Sequence, residues 1–226
     1  MIAQLKIVVL LGLFSLSPQQ SFSHAPPSKP YQTVLNQIKS EKQSLLANQI
    51  NTDSCKKYIL YHFEHSILPY WVGRPWTYEG HTNTPYSGSI ACGYFVSTTL
   101  KHMGFNWNRY ELAKMYSRQI VEIVCDTNKV FQDKAKFFKY CHQLEDNLYI
   151  LGLSNHVGFI LKSKGKIRFV HSNYIDGIGP DKEKIQTSLA LNSSHVFWIG
   201  KFLTKTNIKK WLSSTAYHIV RKKTKN

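Results

Sequence analysis

The chain has 226 residues, of which 42% are hydrophobic, and this suits one folded domain and excludes a disordered chain. Its formal charge of +16 favours an anionic substrate or surface, such as a bacterial envelope polymer. The basic residues are scattered and no nucleic-acid-binding signature accompanies them, so we expect no specific nucleic-acid partner.

Residues 1–23 predict a secretory leader. Lys6 precedes the apolar run 7–16, and Ser21 and Ser23 place small residues at positions −3 and −1 of a cleavage site. The run is short for a membrane span, although a retained anchor stays an alternative. We therefore predict a periplasmic or secreted protein. Loss of the leader's one lysine would lower its charge from +16 to +15.

The chain after the leader divides into residues 24–52 and residues 53–226. The first part holds a proline-containing linker and a predicted helix over 31–50. The second part opens with a helix that starts at Asp53 and is expected to end at Pro69. Residues 70–91 follow as a long loop rich in aromatic residues, glycine and proline, a kind of loop that is often functional.

Helices precede strands in the remaining sequence. Periodicity predicts helices that run from Cys92 to Gly104, from Asn108 to Tyr116, and over 130–145. Apolar runs predict strands over 148–153, 155–161 and 166–174, with a tight turn at Lys164-Gly165. A short helix near 183–191, a strand over 195–202 and a helix over 207–213 follow. This order predicts an α+β fold with an antiparallel sheet.

Four cysteines are present, Cys55, Cys92, Cys125 and Cys141. Their spacing matches no zinc pattern. In an oxidising compartment some would pair, and we expect Cys125 and Cys141 to be neighbours that can form a disulfide. Cys92 is expected to stay free.

Cys92 carries the strongest chemical signal. It stands in the first turn of its predicted helix, where unpaired N–H groups and the helix dipole would lower the pKa of a thiol. The same N–H groups can face an oxyanion, and Gly93 would let a substrate approach the backbone. A buried small residue or half of a disulfide is the alternative interpretation of Cys92.

Two histidines lie on the predicted hairpin. His156 opens the second strand beside Gly158, and His171 lies on the third. A turn at Ser163-Lys164 would pair position 156 with 171, and one at Lys164-Gly165 would pair it with 173. Either register puts both histidines on one face. The order therefore supplies a nucleophile, a base and a polar group that orients the base.

These motifs resemble the NlpC-type papain-like cysteine peptidases and amidases, including a bacterial amidase-like branch. The resemblance covers roughly residues 55–175. It rests on the aromatic loop 73–80, Ala-Cys-Gly at 91–93, His-Val-Gly at 156–158 and Phe-Val-His at 169–171. It implies a papain-like fold, in which N-terminal helices, including the nucleophile helix, pack on a small antiparallel sheet, with 53–226 as the catalytic domain.

The resemblance also implies roles. Cys92 would be the nucleophile, His156 the base and His171 the third member of the triad. The family has a loop tyrosine near its oxyanion site; here Trp76 takes the aligned place, with Tyr78 two residues on, and Gly93 completes the predicted oxyanion and substrate-binding residues. The common Asp-Cys-Ser is Ala-Cys-Gly here, so neither neighbour of Cys92 adds a polar side chain.

Other residues weigh less. Asp176 and Asp181 could bind a cationic group, but solvated loop acids are the simpler interpretation. Trp71 and Trp76 could line a groove for a sugar or peptide, or serve packing. The histidines His62, His65 and His81 have no recognisable metal-ligand spacing, so we expect no metal and no organic cofactor.

The sequence thus predicts a monomeric, exported hydrolase that cleaves an amide bond through a thioester. Peptidoglycan or another anionic envelope polymer is the expected partner. Two alternatives stay open at this point. One is an acyltransferase or transglutaminase-like enzyme on the same triad, and the other is a non-catalytic exported binding protein.

Overall fold

The computed structural model describes residues 27–220, which form an α+β fold with one antiparallel sheet. The predicted leader, residues 1–23, lies outside the described residues. The helices are α1 (Tyr31–Ala47), α2 (Thr52–His62), α3 (Leu68–Trp71), α4 (Cys92–His102), α5 (Arg109–Ala113), α6 (Ser117–Val124), α7 (Lys134–His142), α8 (Leu189–Asn192) and α9 (Lys205–Leu212). The strands are β1 (Asn128–Phe131), β2 (Asn147–Leu153), β3 (Val157–Ser163), β4 (Lys166–Asn173), β5 (Gly179–Glu183) and β6 (Phe197–Lys201).

The six strands lie in the order β1-β6-β2-β3-β4-β5. Strand β2 lies inside the sheet and is buried along its whole length, because helices cover both faces. On one face, Phe95 of α4 and Val121 of α6 pack in one apolar core with Phe159 of β3. On the other, Phe137 of α7 packs in a second core. Among residues 27–220, no helix combines the length and apolar character that a membrane crossing needs.

Helix α1 belongs to the same core as α4. Its buried residues Tyr31, Val34 and Ile38 join the core that holds Phe95. The Lys42 ammonium, almost wholly buried, donates to the Gly104 carbonyl at 3.0 Å, which ties α1 to the end of α4. The predicted helix over 31–50 is therefore confirmed, with its end at Ala47.

The hairpin β3–β4 takes the second of the two predicted registers. Phe159 pairs with Val170 and Ser163 with Lys166. Lys164 and Gly165 form the turn with φ of 48° and 74°. Positive φ at both central residues is the requirement of the hairpin turn whose twist matches that of the strands.

Three predicted helices are wrong in part. The second helix does not end at Pro69: a π-helical turn at Phe63–Ile67 leads into α3, and Pro69 stands in the first turn of α3, where its missing N–H is not needed. The helix after Asn108 ends at Ala113, and α6 follows as a separate helix. Within 130–145, Val130 and Phe131 belong to strand β1, which pairs with β6.

Two further expectations are corrected. Residues 183–191 hold the end of β5 and the short helix α8, so the predicted helix begins too early. Cys125 and Cys141 do not form a disulfide: Cys125 packs in the core that holds Phe95 and Cys141 in the core on the opposite face of the sheet. All four cysteines are free thiols.

Candidate active site

Cys92 is the first residue of α4, as the sequence predicts. The helix is anchored by Phe95, Val96 and Leu100, which are fully buried against the sheet. The chain just before it is fixed as well, since the Ser172 hydroxyl of β4 donates to the Ile90 carbonyl at 2.6 Å. The start of α4 is thus held against β3 and β4, the strands of the histidine hairpin.

The thiol of Cys92 lies beside the start of β3. The backbone N–H groups of Val157, the residue directly after His156, and of Gly93 lie close enough to the sulfur to act on its pKa. Within residues 27–220, no hydrogen bond joins the thiol directly to the His156 ring. Catalytic hydrogen bonds are often long before substrate binds and shorten in the complex.

The two histidines contact each other. His156 Nε2 and His171 Nδ1 are 2.8 Å apart, with His156 5% exposed and His171 fully buried. Gly158 makes this contact possible: a Cβ atom there would lie 2.7 Å from the Cβ of His171 and 2.8 Å from the ring of Phe169. The missing side chain at position 158 therefore leaves room for β4 to bring His171 close.

Glu183 extends the pair. Its Oε2 lies 3.2 Å from Nε2 of His171. The ring N–H does not point straight at this oxygen, and neither atom has another partner among the described residues. The other oxygen, Oε1, accepts a hydrogen bond from the Asn173 amide at 3.0 Å. A continuous polar chain therefore runs from Glu183 through His171 to His156.

Sequence reasoning missed Glu183. Strand β5 has the sequence Gly-Pro-Asp-Lys-Glu, which shows no apolar alternation, so nothing marked it as a strand. It forms by pairing with β4, where Glu183 lies opposite Phe169, two residues before His171. The one available signal was a carboxylate close to His171 in the sequence, after a turn that contains Gly177 and Gly179.

The environment favours neutral forms of both Cys92 and His156. Burial raises the pKa of the Cys92 thiol, although the N–H groups of Val157 and Gly93 act to lower it. Burial, and then the electrostatic interaction with the adjacent His171, hold the pKa of His156 well below its ordinary value. The expectation of a lowered thiol pKa is therefore wrong, because loss of hydration outweighs the N–H groups at the start of the helix.

Glu183 is placed to be ionised. Burial acts to raise its pKa, but interactions with the His171 ring and the Ser188 hydroxyl outweigh burial and lower the pKa. A carboxylate in this position can only accept hydrogen bonds.

The loop residues named from the sequence have different places. Trp76 reaches the site through Tyr174, whose ring centroid lies 6.2 Å from that of Trp76 and 5.1 Å from that of His156. The indole N–H of Trp76 is buried and has no hydrogen-bond partner within the described chain. Tyr78 is 85% exposed and makes no hydrogen bond or ring contact within residues 27–220, so its predicted role gains no support.

Packing explains why position 93 is a glycine. A Cβ atom at this position would lie 2.4 Å from the Ala113 carbonyl oxygen at the end of α5. The missing side chain therefore lets α5 approach α4, and the expectation that it serves substrate approach is not needed to explain the glycine. Its backbone N–H still acts to lower the pKa of the Cys92 thiol.

The remaining candidates do not gather into a site. Trp71 is fully buried and donates to the Tyr31 hydroxyl at 2.8 Å, which is a packing role. Asp181 accepts from the N–H of Lys182, and Asp176 takes a positive φ of 54° in the turn before β5. No group of three or more metal-ligating side chains occurs in the described part of the chain, where His62, His65 and His81 remain apart from any such cluster.

Comparison with known proteins gave no relative. No protein-family model, no curated protein and no solved structure matches this chain.

Proposed function

We propose that this chain is an exported cysteine hydrolase with a papain-like arrangement, in which Cys92 is the nucleophile and His156 the base. The observation that carries the proposal is the meeting of three elements. The N–H of Val157 acts on the pKa of the thiol at the start of α4, and the adjacent His156 ring contacts His171 at 2.8 Å. This arrangement supports a nucleophile, a base and an orienting group that come from one helix and one hairpin.

The reaction would be acyl transfer to water. His156 takes the proton of Cys92 as the sulfur attacks the carbonyl carbon, and the resulting oxyanion faces the N–H groups at the start of α4. Collapse breaks the C–N bond, the amine leaves with the proton from His156, and a thioester stays on Cys92. Water, deprotonated by His156, then attacks the thioester and releases the carboxylic acid and the thiol.

The pKa directions decide how the proton moves. A thiol with a raised pKa and an imidazole with a lowered pKa form a neutral pair at rest. Proton transfer would therefore accompany the attack, instead of preceding it as in a stable thiolate–imidazolium pair. No metal or organic cofactor is needed for these steps.

The proposed substrate is peptidoglycan, at a peptide bond or at the amide link to muramic acid. The resemblance in motif order supports it, and so does the formal charge of +16, which favours an anionic polymer. Export is part of the same proposal and rests on residues 1–23. The non-catalytic alternative would gain support from a Cys92 held in a disulfide, but Cys92 is a free thiol.

Mass spectrometry of muropeptides tests the proposal. Purified cell walls are incubated with the wild type, with Cys92→Ala, and with Cys55→Ala as a matched control for loss of a thiol. We expect new amine and carboxylate ends with the wild type and the control, and none with Cys92→Ala. An arm with added amine separates hydrolysis from acyl transfer, since a hydrolase gives mainly the free carboxylate whereas a transferase gives mainly the amide. Undiminished cleavage by folded Cys92→Ala would reject the proposal.

A further inference from the structure

Glu183 determines which nitrogen of each histidine carries hydrogen. An ionised carboxylate only accepts hydrogen bonds, so the Nε2 of His171 that faces it must carry hydrogen. In a neutral ring the other nitrogen, Nδ1, then has a free lone pair. The 2.8 Å contact with His156 Nε2 therefore requires that His156 donates its hydrogen there.

We propose that Glu183 is a positioning residue whose carboxylate fixes the tautomer of both rings and so leaves Nδ1 of His156 as the nitrogen that takes the Cys92 proton. This inference rests on the proposed function for its catalytic meaning. Its structural content, two rings with hydrogen on Nε2, is independent of any substrate.

Because the contact between His171 and Glu183 is buried, the carboxylate can determine the tautomers of the two histidines. Nε2 of His171 and Oε2 of Glu183 are both buried, lie 3.2 Å apart, and have no other partner among residues 27–220. Buried polar groups without a partner are unfavourable, so a small rotation that aligns the two atoms satisfies both. The Ser188 hydroxyl also contacts the Glu183 carboxylate, and because a hydroxyl donates to a carboxylate this contact leaves Glu183 an acceptor.

Asn173, which contacts Glu183 on the side away from His171, fixes the direction of these hydrogen bonds. Its side-chain oxygen accepts from the N–H of Ile175 at 2.9 Å, so its NH2 group must face Glu183. That NH2 donates to Oε1 of Glu183 at 3.0 Å. The residue at 183 therefore has to offer an acceptor to Asn173 and, in the wild type, a second acceptor to His171.

The hydrogen bonds from His156 through His171 to Glu183 also act when His156 is protonated during the reaction. When Nδ1 of His156 takes the thiol proton, the ring becomes an imidazolium that still donates from Nε2 to His171. The negative charge of Glu183, one ring further on, stabilises this cation and keeps its orientation, as the carboxylate does in Ser-His-Asp triads.

Glu183→Gln reverses the direction of the hydrogen bonds that run from residue 183 through His171 to His156. The side chain keeps its size and shape. Its amide oxygen must accept from Asn173, which turns its NH2 group toward His171. Nε2 of His171 then has to accept, its Nδ1 donates to His156, and His156 carries hydrogen on Nδ1. The base nitrogen is blocked, so we expect kcat to fall by roughly 10²–10⁴-fold with little change in KM.

A double variant restores the wild-type direction of these hydrogen bonds and keeps the net charge of the wild type. In Asn173→Asp/Glu183→Gln, the carboxylate at 173 accepts both from Ile175 and from the NH2 group at 183. The amide oxygen at 183 then faces His171, as Glu183 does in the wild type. We expect this variant to recover at least about tenfold of the lost kcat, because the tautomers return.

Histidine 15N NMR near pH 7 tests the inference without any substrate. We expect hydrogen on Nε2 of both rings in the wild type and the double variant, and on Nδ1 of both rings in Glu183→Gln. Hydrogen on Nδ1 of wild-type His156, or a doubly protonated His171, overturns the inference. Glu183→Asp, which keeps a carboxylate, is expected to retain the wild-type pattern and provides a second readout if Glu183→Gln does not fold.

The outcomes separate the two proposals. If the tautomers respond as described but wild type cleaves no cell wall, Glu183 keeps its positioning role and the hydrolase proposal falls. If wild type cleaves cell wall but the tautomers are unchanged in Glu183→Gln, the hydrolase proposal stands and the role of Glu183 is rejected.

Discussion

Substitution of Gly158 by alanine should damage the site more than the fold. The new Cβ would lie 2.7 Å from the Cβ of His171, and ordinary contact begins at 3.4 Å, so His171 has to move by about 0.7 Å. The same Cβ meets the Val170 carbonyl oxygen at 2.8 Å, which resists a compensating shift of the backbone. Overpacking of this kind costs about 1–3 kcal/mol in the free energy of unfolding.

The effect of Gly158→Ala on the catalytic rate should be larger than its effect on stability. A displacement near 1 Å in a catalytic group can cost about 10²-fold in rate, and His171 holds the ring of His156. We therefore expect Gly158→Ala to lower kcat for cell-wall cleavage by about 10- to 100-fold at a temperature where the variant is still folded.

Gly165→Ala is the matched control on the same hairpin. Its φ is +74° and no atom lies within 4 Å of the added Cβ, so it should lose about 1 kcal/mol of stability through backbone strain alone. Urea unfolding gives the stability of each variant, and turnover is measured on the folded protein. The reasoning fails if Gly158→Ala keeps wild-type turnover, or if Gly165→Ala loses as much.

Three further predictions concern titration and thiols. Because burial raises the pKa of Cys92 above its ordinary value of 9.0, its alkylation by iodoacetamide should keep accelerating above pH 9, and a plateau reached near pH 7 would contradict the neutral pair. Burial lowers the pKa of His102 to about 4, whereas the unfolded chain takes up this proton near 6.5, so stability should fall as the pH is lowered from 6.5 to 4. The loss of unfolding free energy from this residue is on the order of 3 kcal/mol. Urea unfolding at pH 7 and 4.5 should show a smaller loss for His102→Gln than for the wild type, and an equal loss would refute the assignment of this pH dependence to His102. Thiol titration in denaturant without reductant should give four free thiols per chain, and a count of two would show a disulfide that the fold does not contain.

Local signals predicted the elements that carry the nucleophile and the base. The helix that begins at Cys92 and ends before Gly104 has clear helical periodicity and a C-terminal glycine with φ of 93°. The hairpin is determined by alternation and by Lys164-Gly165, whose turn type sets the register that brings His156 to His171. Both predictions depend on residues close together in the sequence.

The elements that were missed depend on distant pairing. Strand β1 forms because Val130 and Phe131 pair with β6, far along the chain, and their apolar character alone also suits a helix. Strand β5 has no strand pattern of its own, and with it the place of Glu183 stayed hidden. The separation of Cys125 from Cys141 is a property of the two faces of the sheet, which spacing does not reveal.

The pKa of Cys92 illustrates a second limit. The position at a helix start predicts N–H groups near the sulfur, and that of Gly93 acts on its pKa, whereas the N–H of Val157 comes from β3. The sequence gives no measure of how much water the packed site excludes. Burial therefore reverses a direction that the helix start alone would predict.

The central claim is that the Cys92 sulfur and the His156 ring face each other closely enough to exchange a proton. A short bifunctional alkylating agent, 1,3-dibromoacetone, tests it, because it bridges a thiol to an imidazole only when the two are neighbours. Peptide mass spectrometry of the treated native protein should find the Cys92 peptide joined to the His156 peptide, and His156→Gln should abolish the bridge. Single alkylation of Cys92 without a bridge, or a bridge to another residue, would contradict the claim.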